Sequence, residues 1–158
     1  MEDSKKLSFD LNGIQQCQQN RYPLLFIDKV TEVVPEQYSI AVKRFTYNEW
    51  FFPAHFEDDP NVPGFILVES LVQTFIMTFL CKEEYKGMQT NFVNINKVNF
   101  TKKVLPGDTM IVRADLTSFR RGIAKGVAEG KVNDESVCVA EFLVTLPDVL
   151  NQFTPKIK

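Results

Sequence analysis

The chain has 158 residues, of which 44% are hydrophobic, and a formal net charge of −2. We predict one domain over residues 1–158, with its core at about 14–146, because this length is typical of a single domain with a sizeable core. A net charge so close to zero does not indicate a nucleic-acid-binding protein. The N-terminus has no apolar signal-peptide core, and the three cysteines lack the spacing of a disulfide framework or a zinc site. We therefore interpret the three cysteines as reduced thiols and predict a cytoplasmic protein.

The first part of the chain predicts a short helix and a β-hairpin. Ile14 and Cys17 lie at helical spacing in a polar segment. Leu24–Val34 and Tyr38–Phe45 are rich in β-branched and aromatic residues and flank the turn Pro35-Glu36-Gln37. This pattern predicts two antiparallel strands.

The most apolar stretch of the chain runs from Phe65 to Leu80. Apolar groups cover nearly every face of a helix built from it, so we predict a core helix that is buried all round. The stretch is shorter than the ~20 residues that span a membrane and contains polar residues, which argues against membrane insertion. Two of these, Glu69 and Gln73, are four positions apart and therefore lie on one helical face. A carboxylate in such a helix is rarely buried without a partner or a task.

Four long strand-like segments follow this helix and predict an antiparallel sheet. One face of the third segment carries only small residues and a terminal valine, so a bulky element can approach it closely. We therefore predict an α+β fold in which the sheet wraps a long central helix. The segments are Phe92–Val104, Thr109–Phe119, Ile123–Val132 and Ser136–Leu146.

The candidates for chemistry are His55, which is the only histidine, and Glu69. Taken singly, the histidine could be a loop residue with a satisfied hydrogen bond, and the carboxylate could be paired with a basic residue. Pro63-Gly64 begins the apolar helix, whose positive end can bind a developing oxyanion. A base, a carboxylate and an oxyanion site together suit proton abstraction next to a carbonyl. No metal-ligand cluster, phosphate loop or Gly-x-Ser-x-Gly motif occurs, so we predict no metal.

The sequence contains Arg21-Tyr22-Pro23 followed by LLFIDKV, then His55-Phe56, Pro60, Pro63-Gly64, Glu69, Gln73 and the segment from Val98 to Asp108. With these residues, and with 14 positions between His55 and Glu69, the chain resembles the 3-hydroxyacyl-acyl carrier protein dehydratases of bacterial fatty acid synthesis. The resemblance implies the hot-dog fold.

The resemblance implies a role for each site residue in the dehydration of a 3-hydroxyacyl thioester to the trans-2-enoyl thioester. His55 would be the base, and Glu69 would hold or protonate the departing hydroxyl. The N–H of Gly64, with that of Phe65, would polarise the thioester carbonyl, while Gln73 supports Glu69. The family needs no cofactor beyond the phosphopantetheine that carries the substrate. Its sites take the His and the Glu from different subunits, which implies a homodimer or a trimer of dimers.

The carrier in this family is acidic, so the resemblance implies a basic docking surface. Its candidates are Lys102 and Lys103, and Arg120 and Arg121, although each could simply solvate a strand end or turn. The active-site loop departs from the family pattern, since Ala54-His55-Phe56-Glu57-Asp58 replaces the usual Gly-His-Phe-Pro-Gly. Asn20 also stands where the family often has a histidine. Two alternatives therefore stay open, a non-catalytic hot-dog subunit that binds acyl chains or pairs with an active homologue, and a hot-dog thioesterase.

Overall fold

The computed structural model describes residues 5–155 as one seven-stranded antiparallel sheet packed against a long helix. The order of the strands is β1-β2-β3-β5-β6-β7-β4, and the long helix, α2, packs against β2, β3, β5, β6 and β7. This arrangement confirms the predicted α+β hot-dog fold. The strands are β1 Leu7–Phe9, β2 Lys29–Val34, β3 Tyr38–Arg44, β4 Asn91–Phe100, β5 Thr109–Arg120, β6 Ile123–Val132 and β7 Glu135–Thr145. The helices are α1 Leu11–Cys17, α2 Gly64–Leu80 and α3 Pro147–Leu150, with a 3-10 turn at Phe52–Ala54.

The small-residue face of β6 lets α2 approach the sheet closely. A Cβ atom added at Gly126 would lie 2.3 Å from the Phe75 ring and 2.4 Å from the carbonyl oxygen of Asp115. The Phe75 ring also stacks on Phe142 of β7, with 5.9 Å between the ring centroids. The missing side chain of Gly126 thus makes room for an aromatic ring of the helix, as the sequence predicted.

The first predicted strand, Leu24–Val34, is five residues too long, because β2 begins at Lys29. At Leu24 and Phe26 the backbone of the preceding segment bonds to a side chain of α2. Gln73 Nε2 donates to the carbonyl oxygen of Leu24, and Gln73 Oε1 accepts from the N–H of Phe26, both at 2.7 Å. A polar side chain inside an apolar helix therefore decides where this strand starts.

The strand predicted over Phe92–Val104 also ends earlier, at Phe100. The residues that follow turn towards the loop in front of α2. There the N–H of Val62 donates to the carbonyl oxygen of Val104 at 2.8 Å. This bond holds the end of the His55 loop against the chain that leaves β4.

The prediction that the central helix is buried all round is wrong for its first two turns. Phe65 is 65% exposed, and Val68 and Glu69 are only partly buried. This side of α2 faces β4, the last strand of the sheet, on which all ten residues are exposed. The result is an apolar surface, called the β4 face below, that consists of Phe65, Val68, Phe92, Ile95 and Val98. Within residues 5–155, no helix has the length and apolar character needed to cross a bilayer.

We expect Gly126→Ala to lower the free energy of unfolding by about 1–3 kcal/mol, because the added methyl group must displace either the Phe75 ring or the strand backbone. Urea unfolding at a fixed protein concentration measures this change. Lys125→Ala, at an exposed position of the same strand, is the matched control. Equal urea midpoints for Gly126→Ala and the wild type would contradict the close contact between α2 and β6.

Candidate active site

His55 lies directly after the 3-10 turn and is held by its own loop. Its Nδ1 atom lies 3.0 Å from the carbonyl oxygen of Asn61, and its carbonyl oxygen accepts from the N–H of Asn61 at 2.9 Å. Because a carbonyl oxygen can only accept, Nδ1 carries the hydrogen in the neutral ring. The lone pair of Nε2 is then free to accept a proton, so the imidazole is oriented to act as a base.

Aromatic packing anchors the chain that leads into His55. The buried Phe51 ring lies at the centre of this cluster, with centroids 4.8 to 6.5 Å from its four neighbours. The neighbours are Phe26, Phe45, Trp50 and Phe52. Such packing limits the movement of the loop backbone, so the position of His55 is defined before any ligand binds.

Glu69 is held from one helical turn away by Gln73, as its spacing predicted. Gln73 Nε2 donates to Glu69 Oε1 at 2.8 Å, and Asn20 Nδ2 approaches the same oxygen at 3.4 Å. The Gln73 side chain is fully buried and also bonds the backbone of Leu24 and Phe26. The carboxyl group is therefore oriented by an amide that cannot itself move.

Burial raises the pKa of Glu69 above its ordinary value of 4.5, and the hydrogen bond from Gln73 only partly offsets this effect. No basic side chain is paired with Glu69 in the described part of the chain, which disfavours the alternative of a simple ion pair. A raised pKa favours the protonated carboxyl group, which is the form that a general acid needs.

Gly64 begins α2 beside His55. The two residues line one cavity of about 390 Å³, together with Asn61, Phe100 and Lys103 among others. The N–H groups of Gly64 and Phe65 are in the first helical turn and have no intrahelical acceptor. A Cβ atom at Gly64 would lie 2.9 Å from the Phe100 ring, so only glycine fits at this position without displacing the aromatic ring.

His55 and Glu69 lie on different sides of α2 within one chain. The cavity that contains His55 is lined by Leu67 of the helix, whereas Glu69 lines two others, of about 400 and 500 Å³. Leu67 and Glu69 are two residues apart, which is a rotation of about 200° around a helix. Within a single chain the two residues therefore do not share a cavity.

The predicted docking residues divide into two groups. Lys102 and Lys103 line the His55 cavity and are more than half exposed. Arg120 and Arg121 follow Phe119, whose ring stacks on Phe79 near the C-terminal end of α2. They therefore lie about 25 Å from the start of the helix, on the basis of its length.

No side-chain cluster suited to a metal ion occurs among residues 5–155. The three cysteines are buried and unpaired, and burial raises the pKa of Cys81 and of Cys138 to about 12. Thiols with such pKa values are not nucleophiles at neutral pH.

Two site residues were not identified as such from sequence. Asn61 contacts His55 through its backbone carbonyl, which every residue type possesses, so no sequence signal exists for this role. Asn20 was noticed only as a departure from a family motif, yet its amide approaches Glu69. Its contact depends on how the chain before β2 folds back onto α2.

Comparison with known proteins identifies the family. The model of the FabA-like domain matches residues 19–141. The 3-hydroxyacyl-[acyl-carrier-protein] dehydratase FabZ of Clostridium tetani is 41% identical over 135 residues, which is 84% of this chain and 94% of that protein. FabZ of Syntrophomonas wolfei is 32% identical over 142 residues, covering 90% and 99% of the two chains. The chain belongs to the FabZ-like dehydratase family. The resemblance seen in the sequence is thereby confirmed.

Solved structures support the fold independently of sequence identity. A chain of the dehydratase heterocomplex ApeI:P from Xenorhabdus doucetiae superposes with a TM-score of 0.74 at 11% identity, covering 90% of this chain and 97% of that one. The protein PH1136 from Pyrococcus horikoshii gives a TM-score of 0.64 at 14% identity, with coverages of 83% and 91%. At such low identities these likenesses concern the hot-dog fold alone.

This FabZ-like chain closes its unusual loop with a tight turn. The backbones of Phe56 and Asp59 exchange two hydrogen bonds, each of 3.1 Å, and place Glu57 and Asp58 at an exposed tip. The loop therefore has a defined structure without the Pro-Gly pair that the sequence lacks.

We expect Glu69→Gln to make the protein more stable than the wild type at neutral pH. A carboxyl group whose pKa is raised by folding binds its proton more tightly in the folded state, so its ionisation above that pKa disfavours folding. The advantage of the variant should shrink as the pH falls through the raised pKa towards 4.5. Urea unfolding from pH 4 to pH 8 measures it. Glu57→Gln, at the exposed tip, is the control, and an equal advantage for that variant would contradict the assignment to burial.

Proposed function

We propose that this member of the family dehydrates a 3-hydroxyacyl thioester at a site composed of His55 from one subunit and Glu69 from a second. The observation that carries the proposal is the pairing of two complementary groups. His55 has a free Nε2 atom because Nδ1 is bonded to Asn61, and partial burial raises the pKa of Glu69 and so shifts it towards its protonated form. A base and an acid with these properties suit an elimination that removes a proton and a hydroxyl group.

The reaction follows from these roles. His55 Nε2 takes the proton from C2 of the substrate, the C2=C3 double bond forms and the C3–O bond breaks. Glu69 gives its proton to the departing hydroxyl, which leaves as water. The imidazolium proton then returns through water to the Glu69 carboxylate, and the enzyme is restored. Charge that develops on the thioester oxygen is stabilised by the N–H of Gly64, with that of Phe65.

A dimer would bring the two groups into one site. His55 and Glu69 line different cavities within a chain, so none of the three cavities contains both residues. The β4 face next to Glu69 is apolar, and β4 ends the sheet with an unpaired edge. Exposed edges and apolar patches of this kind support pairing with another chain. We therefore propose that the smallest active unit is a dimer, in which a second copy of the chain pairs through β4.

The acyl chain would lie along α2. From Glu69, a cavity of about 400 Å³ extends past Val72 and Ile76 to Leu80, with Met88 and Val144 among its other lining residues. The aliphatic side chains suit a hydrocarbon tail, and polar side chains such as Gln89 and Thr90 line the same cavity. The carboxyl group at one end of this cavity would then lie beside the carbon that bears the hydroxyl.

The partner that we propose to deliver the substrate is an acyl carrier protein, which the relatives' names mention. Lys102 and Lys103 form the docking rim in this proposal, because they line the cavity that contains His55. Arg120 and Arg121 lie at the other end of α2 and do not border this cavity.

The reaction transfers only a proton and a hydroxyl group, so we propose no cofactor besides the carrier's phosphopantetheine. The unpaired cysteines suit the cytoplasmic location that we propose.

We expect His55→Ala and Glu69→Gln each to lower turnover of a 3-hydroxyacyl carrier thioester by about 10²–10⁴-fold, the usual contribution of an acid or base. Appearance of the enoyl chromophore in purified protein measures this loss. Thr117→Ala, on the outer face of the sheet, is a control for the purification. Thioester hydrolysis that persists in His55→Ala would instead indicate a thioesterase, and a folded wild type inactive on every chain length would indicate a binding subunit.

Mixing the two inactive variants tests the composite site. When His55→Ala and Glu69→Gln protomers are co-refolded, one site in each mixed dimer receives both native residues, whereas the other receives neither. We therefore expect up to about a quarter of wild-type activity for random pairing, because half of the dimers then have one of two sites intact. Absence of any rescue, with mixed dimers verified by mass spectrometry, would show that each site lies within one chain.

A further inference from the structure

The loop that carries His55 is held together by side chains as well as by backbone. Within it, Asn61 Nδ2 donates to the carbonyl oxygen of Asp59 at 2.9 Å. Asn61 is 8% exposed, and its backbone carbonyl is the acceptor for His55 Nδ1. The same residue therefore closes the turn with its side chain and orients the imidazole with its main chain.

A second link connects this turn to the chain after β4. The Lys103 ammonium group forms an ion pair with the Asp59 carboxylate, next to the point where the N–H of Val62 bonds the carbonyl oxygen of Val104. Lys102, one residue earlier, is paired instead with Glu135 of β7 at 2.6 Å. The two lysines have similar exposure but hold different elements, and only Lys103 reaches the His55 loop.

We propose that Lys103 and the side chain of Asn61 are positioning residues, which hold Asp59 from two sides and so keep the carbonyl oxygen of Asn61 at His55 Nδ1. The expected effect on turnover rests on the proposed function, whereas the expected effect on the His55 imidazole does not. It gives Lys103 a task that Lys102 does not share. It also accounts for how the loop stays closed with Glu57-Asp58 at its tip in place of a Pro-Gly pair.

The single histidine allows a direct test by spectroscopy. In untagged protein labelled with ¹⁵N, the imidazole nitrogen shifts report which nitrogen carries the hydrogen, with no overlap from other histidines. The wild type should show the Nδ1–H tautomer. We expect Lys103→Met and Asn61→Ala to give a mixture of tautomers, and Lys103→Arg, which keeps the charge, to restore the wild-type spectrum. Lys131→Met, which removes a similarly exposed lysine paired with Glu129, is the matched control.

Turnover of a small carrier-free thioester, 3-hydroxyacyl-N-acetylcysteamine, gives the second readout. Loss of docking alone cannot affect this substrate, whereas a misplaced imidazole lowers kcat. We expect kcat to fall about two- to five-fold in Lys103→Met, the range that one exposed ion pair supports. Asp59→Asn should give a similar loss, and the double variant should be no worse than either single one. Lys102→Met should raise KM for the carrier substrate and leave the imidazole spectrum unchanged.

The two readouts separate the inference from the proposed function. If the wild type turns over neither thioester, the proposed dehydration is wrong, but the imidazole spectra still decide whether Lys103 and Asn61 position His55. If the spectra of Lys103→Met and Asn61→Ala match that of the wild type, the positioning role is overturned whatever the activity. Asn61→Ser serves as the second variant at that position if the alanine variant does not fold.

Discussion

The close approach of α2 to β6 is the constraint on which the rest of the structure depends. An apolar helix of 17 residues must be covered, and the absence of a side chain at Gly126 lets Phe75 lie against the strand backbone, while Gly130 makes room for Met110 of β5. The neighbouring strands then pack around the helix with aromatic and branched residues. Once α2 is placed in this way, the orientations of Gly64 at its start and of Glu69 on its exposed side are determined.

A buried polar side chain of this helix, Gln73, organises the site. Gln73 has no exposed surface, and its amide satisfies two backbone groups of the segment before β2 as well as the Glu69 carboxyl group. An unpaired amide at this depth would be costly, so each of these bonds is needed for the fold as well as for the site. The same side chain thus holds the segment before β2, anchors Leu24 beside the apolar cavity and orients the Glu69 carboxyl group.

The separation of His55 from Glu69 and the exposure of β4 have a common origin. The sheet ends at β4, so the first turns of α2 are covered on one side by the His55 loop and are left partly exposed on the other, next to β4. Glu69 is consequently desolvated enough to raise its pKa but remains open to an apolar cavity. A partly uncovered surface next to Glu69, with His55 in a different cavity, is what the proposed shared site would require.

The sequence by itself determined the elements whose signal is local: the apolar helix, the alternation of β6 and β7, the one-turn spacing of Glu69 and Gln73, and the motifs around His55 that indicate the family. It misplaced the start of β2 and the end of β4, and it treated α2 as fully buried. Only the tertiary structure decided these points, because hydrogen bonds between distant residues, such as Gln73 to Phe26 and Val62 to Val104, override strand propensity. The same reason hid the contacts of Asn61 and Lys103 in the His55 loop, since a backbone acceptor and an exposed ion pair depend on which segments meet and leave no pattern in the chain.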